Sequence, residues 1–232
     1  MDTVTFVTGA NKGLGRETVR RLVGLGHTVL LGARDPEQGR PVAAELGAEF
    51  IRIDVTDDAS VSAAANHVHD RHGRLDVLVN NAGIVGPTGP LEDTTAAEVL
   101  ATLDVNLLGV VRCTQAFLPL LRAATHPRIV NVSSGTGRIT WQIANGFPQD
   151  LAPPIYSTSK AALTLLTLEY ARSLPDIKIN AAWPGYTATD LNGGRGTQTL
   201  TEGTDAIVAL ATLGPDGPTG VMQGRAGITD PW

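Results

Sequence analysis

Short runs of consecutive apolar residues alternate along this chain with longer stretches in which apolar positions recur every three or four residues. Val29-Leu30-Leu31, Val77-Leu78-Val79 and Ile129-Val130 show no polar alternation. A strand with one wet face alternates, so these runs predict strands buried on both faces. Strands are expected at Val4–Thr8, Thr28–Ala33, 50–53, 76–80, Arg128–Val132 and 178–183. The spacing between them predicts helices at 13–25, Pro36–Leu46, 57–72, 96–121, 156–173 and 201–213. Gly26 closes the first helix, and Pro36 opens the second at a position where a missing N–H costs nothing. Repeated strand–helix units of this kind predict a single α/β domain, a doubly wound parallel sheet with helices on both faces. No repeat, low-complexity tract or linker divides residues 1–232.

Two stretches lack periodicity, residues 135–155 and 185–200, and both follow strands at their carboxyl ends. Open α/β sheets bind ligands at those ends, and long irregular loops there are more often functional than decorative. Composition narrows the ligand. With 42% hydrophobic residues the chain can fill a core, and its net charge of −5 is spread without basic clusters, which argues against nucleic acid or an anionic membrane surface. Cys113 is the only cysteine, so no internal disulfide is possible; a buried thiol in a reducing compartment is expected. No apolar run approaches a membrane span, and the first strand starts beside Met1, so a cytoplasmic protein without a secretory leader is expected. His67, His69 and His72 lie on a polar helix where only His69 and His72 share a face, with no carboxylate or cysteine ligand pattern, so no metal is expected.

The turn between the first strand and the first helix reads Thr8-Gly9-Ala10-Asn11-Lys12-Gly13-Leu14-Gly15. Gly9 permits a tight turn, Gly13 lets the backbone approach a pyrophosphate, and Gly15 lets helix and strand pack closely, with the helix N-terminus facing the phosphates. A structural β-α turn is the plain alternative. At the end of the second strand, an acidic residue would grip the ribose 2′-hydroxyl of NAD. Ala33 stands there instead, followed by Arg34, with Lys12 in the turn. Two cations and no carboxylate favour a 2′-phosphate, hence NADP(H). Asp35 is expected to point away at the start of the next helix.

Further along, Tyr156 and Lys160 are four apart on a predicted helix and share a face. An ammonium beside a phenol favours the phenolate, which yields a proton donor or acceptor for an alcohol/carbonyl pair. Alone, Tyr156 reads as a core tyrosine and Ser134 as a strand-end serine.

Taken in order, these features resemble the short-chain dehydrogenase/reductase family over nearly the whole chain, with carbonyl reductases that use NADPH as the nearest likeness. Asp54 with Val55 resembles the acidic position that meets the adenine, and Asn80-Asn81-Ala82-Gly83 the motif after the fourth strand. Val130-Asn131-Val132-Ser133-Ser134 resembles the fifth-strand motif, with Ser134 in the catalytic place because Gly137 follows at the usual offset. Asn106, Tyr156 and Lys160 complete a catalytic tetrad, and Pro184-Gly185 resembles the turn that passes the nicotinamide. The resemblance implies a Rossmann-type fold. It implies NADP(H) bound by Gly9, Asn11, Lys12, Gly13, Leu14, Gly15, Arg34, Asp54, Val55, Asn81, Ala82, Gly83, Tyr156, Lys160, Pro184, Gly185 and Thr187.

By the same resemblance, a small-molecule carbonyl or alcohol is the substrate. Tyr156 exchanges the proton, Ser134 hydrogen-bonds the reacting oxygen, Lys160 lowers the Tyr156 pKa and binds ribose hydroxyls, and Asn106 holds a water that resupplies protons. A sensor or scaffold that binds NADP(H) without turnover is the alternative from another class; loss of a tetrad member would favour it, and none is lost. Only 4% of residues are aromatic, yet Trp141, Phe147, Trp183 and Tyr186 lie in or beside the two irregular stretches. They suggest an apolar substrate wall, with 185–200 as a mobile lid. Ser134 and Tyr156 are 22 positions apart, further than is common in the family. In carbonyl reductases a longer insert here covers the helices through which many relatives pair. The insert at 141–150 leans toward a monomer, although Leu163, Leu166 and Tyr170 offer a pairing patch.

Overall fold

The computed structural model describes residues 2–145 and 153–229, and within them eight strands form one sheet. The strands are β1 (Val4–Thr8), β2 (Thr28–Ala33), β3 (Glu49–Arg52), β4 (Val77–Asn80), β5 (Arg128–Val132), β6 (Lys178–Ala182), β7 (Met222–Gly224) and β8 (Gly227–Thr229). Their order is β3-β2-β1-β4-β5-β6-β7-β8; the first seven strands are parallel and β8 returns antiparallel to β7. The helices are α1 (Gly13–Gly24), α2 (Pro36–Leu46), α3 (Asp58–His72), α4 (Ala96–Leu103), α5 (Gly109–Arg122), α6 (Ile139–Asn145), α7 (Pro154–Ser173), α8 (Leu200–Gly203) and α9 (Asp205–Ala211). This is the doubly wound α/β sheet that the apolar runs predict.

Register explains the two-sided burial of those runs. Leu30, Phe6, Leu78, Ile129 and Ile179 stand side by side across five strands. They pack into one core with Val68 of α3 and Cys113 and Phe117 of α5; the Phe6 and Phe117 rings lie 4.8 Å apart. The next row, Leu31, Val7, Val79 and Val130, points to the opposite face and packs with Val19 and Leu22 of α1 and Ile207 and Leu210 of α9. Alternate side chains of a strand leave on opposite faces, so an unbroken apolar run fills two cores at once.

At the carboxyl ends the first face turns polar. The Asn80 side-chain amide donates to the Asn131 side-chain oxygen Oδ1 at 2.9 Å, and the Asn131 amide donates to the Thr167 hydroxyl of α7, also at 2.9 Å. This buried chain fixes β4, β5 and α7 against one another at the level where the sheet gives way to ligand. The sheet order reverses between β1 and β4, and there the strand ends diverge to leave a crevice.

Some expectations are corrected. The helix expected over 96–121 is interrupted by a π turn, Asp104–Leu108, with Asn106 fully buried in it. The stretch 201–213 is two short helices, α8 and α9, and α6, β7 and β8 were not expected at all. Three-residue strands, each with a glycine, carry no apolar run to signal them. Leu163 belongs to the core, and the exposed leucine of α7 is Leu165. His67 and His72, rather than His69, converge on one partner, the Glu49 carboxylate, at 2.8 and 3.5 Å. Among the described residues no cluster could hold a metal ion, and no helix is long and apolar enough to cross a membrane.

Asn131→Ala removes the middle of the buried polar chain and leaves Asn80 without its acceptor. Urea unfolding should show a loss of about 1–3 kcal/mol, the usual penalty for stranding buried polar partners. A smaller loss would mean that the chain is not what locks the strand ends.

Candidate active site

A cleft of about 1350 Å³ opens over the crevice. The turn between β1 and α1 forms its first wall. Gly9 and Gly13 have φ of +61° and +54°, values that favour glycine, and a Cβ on Gly9 would stand 2.8 Å from the Ala82 backbone. A Cβ on Gly15 would meet the Asn81 amide at 2.5 Å, so Gly15 is the point of close packing expected of it. Lys12, at the N-cap of α1, makes no side-chain cap, and the first turn of α1 carries no acid. The free N–H groups of that helix end therefore face the cleft, an arrangement suited to a pyrophosphate. Asn81 clips the turn in place: its backbone N–H donates to the Thr8 hydroxyl at 3.0 Å and its amide to the Thr8 and Gly9 carbonyls at 2.9 and 3.0 Å. Ala82 and Gly83 continue the wall.

At the far end lie Ala33, exposed Arg34, Asp54 and Val55. Asp35 does point away, since its carboxylate caps α2 by accepting from the Glu37 N–H at 2.9 Å. Asp54 accepts from the backbone and hydroxyl of Thr56, which hold its carboxyl below the ordinary value; Arg34 and Arg52 add to the effect. Lys12, the second cation expected at a 2′-phosphate, lines the same cleft as Arg34. Its ammonium stands 3.5 Å from the Asp190 carboxylate, across the mouth of the cleft. Asn11 likewise lines the cleft while its amide donates to Gln38 of α2.

Ser134, Tyr156 and Lys160 meet on the opposite wall. After β5 the chain makes a tight turn, Gly135–Gly137, that rests on α7; a Cβ on Gly137 would stand 2.7 Å from the Lys160 carbonyl carbon. Ser133 and Ser134 then take different roles. The Ser133 hydroxyl is spent on α7, bonded to the Lys160 carbonyl and the Thr164 hydroxyl at 3.1 and 2.7 Å. Ser134 faces the cleft, accepts from Thr136, and hydrogen-bonds the Tyr156 hydroxyl.

The expected lowering of the phenol is not found. Burial, the largest influence, pushes Tyr156 up to about 12, while the bond with Ser134 acts the other way. Burial also brings Lys160 down to about 8. Placement is the reason. The Lys160 ammonium donates to the Val132 carbonyl at 2.8 Å and lies over the tyrosine ring, 5.6 Å from its centroid, and not beside the hydroxyl.

Asn106 stands behind the wall and does not line the cleft. Its amide donates to the Ile84 carbonyl and the Ser159 hydroxyl, both at 2.9 Å, and its oxygen accepts from the Ile84 N–H at 2.8 Å. Both amide hydrogens and the oxygen are thus engaged, and the side chain pins the segment after β4 to α7. Gly83 fills the narrow gap beside it: a Cβ there would lie 3.4 Å from the Asn106 oxygen and 3.6 Å from the Lys160 ammonium.

Pro184, Gly185, Thr187 and Tyr186 line the third wall. Thr187 is buried, and its hydroxyl donates to the Pro184 carbonyl at 3.0 Å. The stretch 185–200 is internally bonded, with Thr197 and Gln198 both donating to the Tyr186 carbonyl. Its far end is tied to α1, where the Thr201 hydroxyl donates to Glu17 at 2.9 Å and Arg21 pairs with Asp205 at 2.8 Å. Trp141 of α6 reaches the cleft, and Phe147 lies outside the described residues. Trp183, expected in the apolar wall, lines the cleft, and so do Gly135, Thr136, Arg138, Thr189 and Arg195, for which the sequence carries no such expectation. Trp183 gave the clearest advance signal, a rare aromatic directly before Pro184-Gly185.

A family model for the short chain dehydrogenases matches residues 3–199. The chain belongs to that family. Among relatives, a (+)-neomenthol dehydrogenase of Capsicum annuum is 31% identical, with 96% of each protein covered. Solved structures agree. The NADPH-bound carbonyl reductase from chicken fatty liver superposes with a TM-score of 0.89 at 26% identity over the full length of both chains. Salutaridine reductase from Papaver somniferum gives 0.83 at 28%, covering 95% of this chain and 99% of its own.

In this short chain dehydrogenase the buried Lys160 has a consequence for stability. Between pH 8 and 10 the folded protein has released the Lys160 proton, while the unfolded chain, with an ordinary value of 10.5, still holds it. The unfolded state then binds more protons, so this contribution to stability rises with pH. Cys113 and Tyr156, both raised to about 12, act oppositely above their ordinary values of 9.0 and 10.0. They cancel when wild type is compared with Lys160→Met. Urea titrations should therefore show wild type gaining on the variant by roughly 2 kcal/mol from pH 8 to 10, at about 1.4 kcal/mol per pKa unit. A pH-independent difference would show that Lys160 is not held near 8.

Proposed function

We propose that this chain is an NADP(H)-dependent oxidoreductase that interconverts a carbonyl and an alcohol, with Tyr156 as general acid and base. The observation that carries the reading is the meeting of Ser134, Tyr156 and Lys160 on one wall of the cleft, with the Lys160 ammonium over the tyrosine ring. The cofactor, when bound, supplies or accepts the hydride. Gly9, Gly13 and the open end of α1 suit its pyrophosphate, and Arg34 beside Ala33 suits a 2′-phosphate.

The residues do the rest. Ser134 donates a hydrogen bond to the substrate oxygen, a donor aimed at charge that grows in the transition state. Tyr156, protonated up to about 12, gives its proton to that oxygen during reduction. Lys160, near its value of about 8, can return a proton after the transfer. Asn106 keeps the Gly83 wall and α7 at a fixed separation. Residues 185–200 act as a lid over the substrate, and Trp141 and Tyr186 favour bulky apolar ketones and aldehydes. The lone buried Cys113 suits work in the cytoplasm.

Tyr156→Phe should keep NADPH binding, followed by fluorescence, and lose about 10²–10⁴-fold in turnover across a carbonyl panel. Wild-type rates in that variant would end the mechanism, and a wild type that binds NADPH but reduces nothing would favour a sensor. Arg34→Ala should weaken NADPH and leave NADH nearly unchanged by calorimetry, and adding Ala33→Asp should shift preference toward NADH. Equal wild-type affinities for the two nucleotides would refute the ribose-site assignment.

A further inference from the structure

Trp183 follows β6 directly, and the mechanism above makes no use of it. The Ser133 N–H donates to the Ala182 carbonyl at 2.8 Å, so the register sets Trp183 beside Ser133 and one step from Ser134. Its indole is gripped at both edges. A Cβ on Gly135 would stand 2.6 Å from Nε1 and 2.7 Å from Cε2, and one on Gly224 would stand 2.8 Å from Cε3. Neither glycine has a positive φ, so neither is required there by its backbone; the absence of a side chain makes room for the ring. The Arg138 guanidinium lies over the indole at 5.5 Å from the ring centroid, a cation–π contact that further fixes the plane. The ring still lines the cleft with Ser134 and Tyr156.

A rigid apolar plate therefore lies against Gly135, next to the serine that would hold the reacting oxygen. A carbonyl carbon carries two substituents. With its oxygen between Ser134 and Tyr156, the substituent directed toward Gly135 meets the indole, while the other has the rest of the 1350 Å³ cleft. We infer that Trp183 is the specificity-determining residue that limits the smaller substituent, so that the enzyme takes aldehydes and methyl ketones bearing one bulky group and rejects ketones bearing two. This rests on the carbonyl-reductase reading given above.

The test compares benzaldehyde, acetophenone and butyrophenone with NADPH, using the full chain as wild type, Trp183→Phe, Trp183→Leu and Trp183→Ala. In a fitted pocket each added methylene is worth about tenfold or more, so wild type should favour acetophenone over butyrophenone by at least about tenfold in kcat/KM. Trp183→Ala should erase or invert that ratio at unchanged NADPH affinity, and Trp183→Phe should keep it. If Trp183→Ala does not fold, Trp183→Leu, which keeps apolar bulk between Gly135 and Gly224, must move the ratio in the same direction. A ratio that stays within about twofold across the folded variants, or a wild type that prefers butyrophenone, overturns the inference and leaves the carbonyl reading intact. If wild type binds NADPH and reduces none of the three, the carbonyl reading fails, and this inference fails with it.

Discussion

The site depends on one close approach, that of the turn after β5 to the backbone of α7. At Gly137 a side chain would collide with Lys160 and Ala161 at 2.7 and 2.8 Å, so only glycine lets the strand end settle on the helix. Ser133 then fastens the contact with two bonds to α7, and the Asn80–Asn131–Thr167 chain fixes the same helix one row deeper in the sheet. Each of these is a backbone or buried polar contact, and such contacts tolerate little slack. Ser134 needs no further device to reach Tyr156; the packing below delivers it.

The sheet was legible because its strands are buried on both faces and carry unbroken apolar runs. The phosphate turn was legible for a different reason: Gly9 and Gly13 sit where the backbone needs positive φ, and that need is written as glycine. Asp35 could be assigned to α2 rather than to a ribose because an acid before Pro36-Glu37 is a cap signal. The rest depended on contacts between distant positions. Nothing local distinguishes Asp104–Leu108 from regular helix, so the part of Asn106 emerged only with Ile84 and Ser159 in place. The Tyr156 shift runs upward, against the sequence expectation, because four-residue spacing gives a shared face but not the depth of burial, and burial outweighs the opposing influence of Ser134. Gly135, Trp183 and Gly224 are far apart in the chain, and no short motif joins them.

Helix α1 links the two halves of the cleft. Its first residues form the phosphate wall, while its middle holds Thr201 and Asp205 through Glu17 and Arg21. The Lys12–Asp190 pair adds a second tie near its start, but both side chains are largely exposed, and an exposed pair contributes about 1 kcal/mol or less. The half-buried network around Glu17 and Arg21 is the firmer hold. The stretch 185–200 thus hangs between β6 and the helix that would receive the pyrophosphate.

The π turn at Asp104–Leu108 has a consequence for the evolution of this chain. Successive helical residues are about 100° apart, so one extra residue swings every later side chain around the axis. Before the turn α4 packs on α7, and after it α5 packs on α3 and β4. A deletion of one residue there would give a smoother helix with better backbone bonding and no visible flaw. It would also turn the Cys113–Phe117 stripe out of its core and withdraw Asn106 from Ile84. Local regularity and global fit are opposed at this point, so the irregularity itself is what inheritance must preserve.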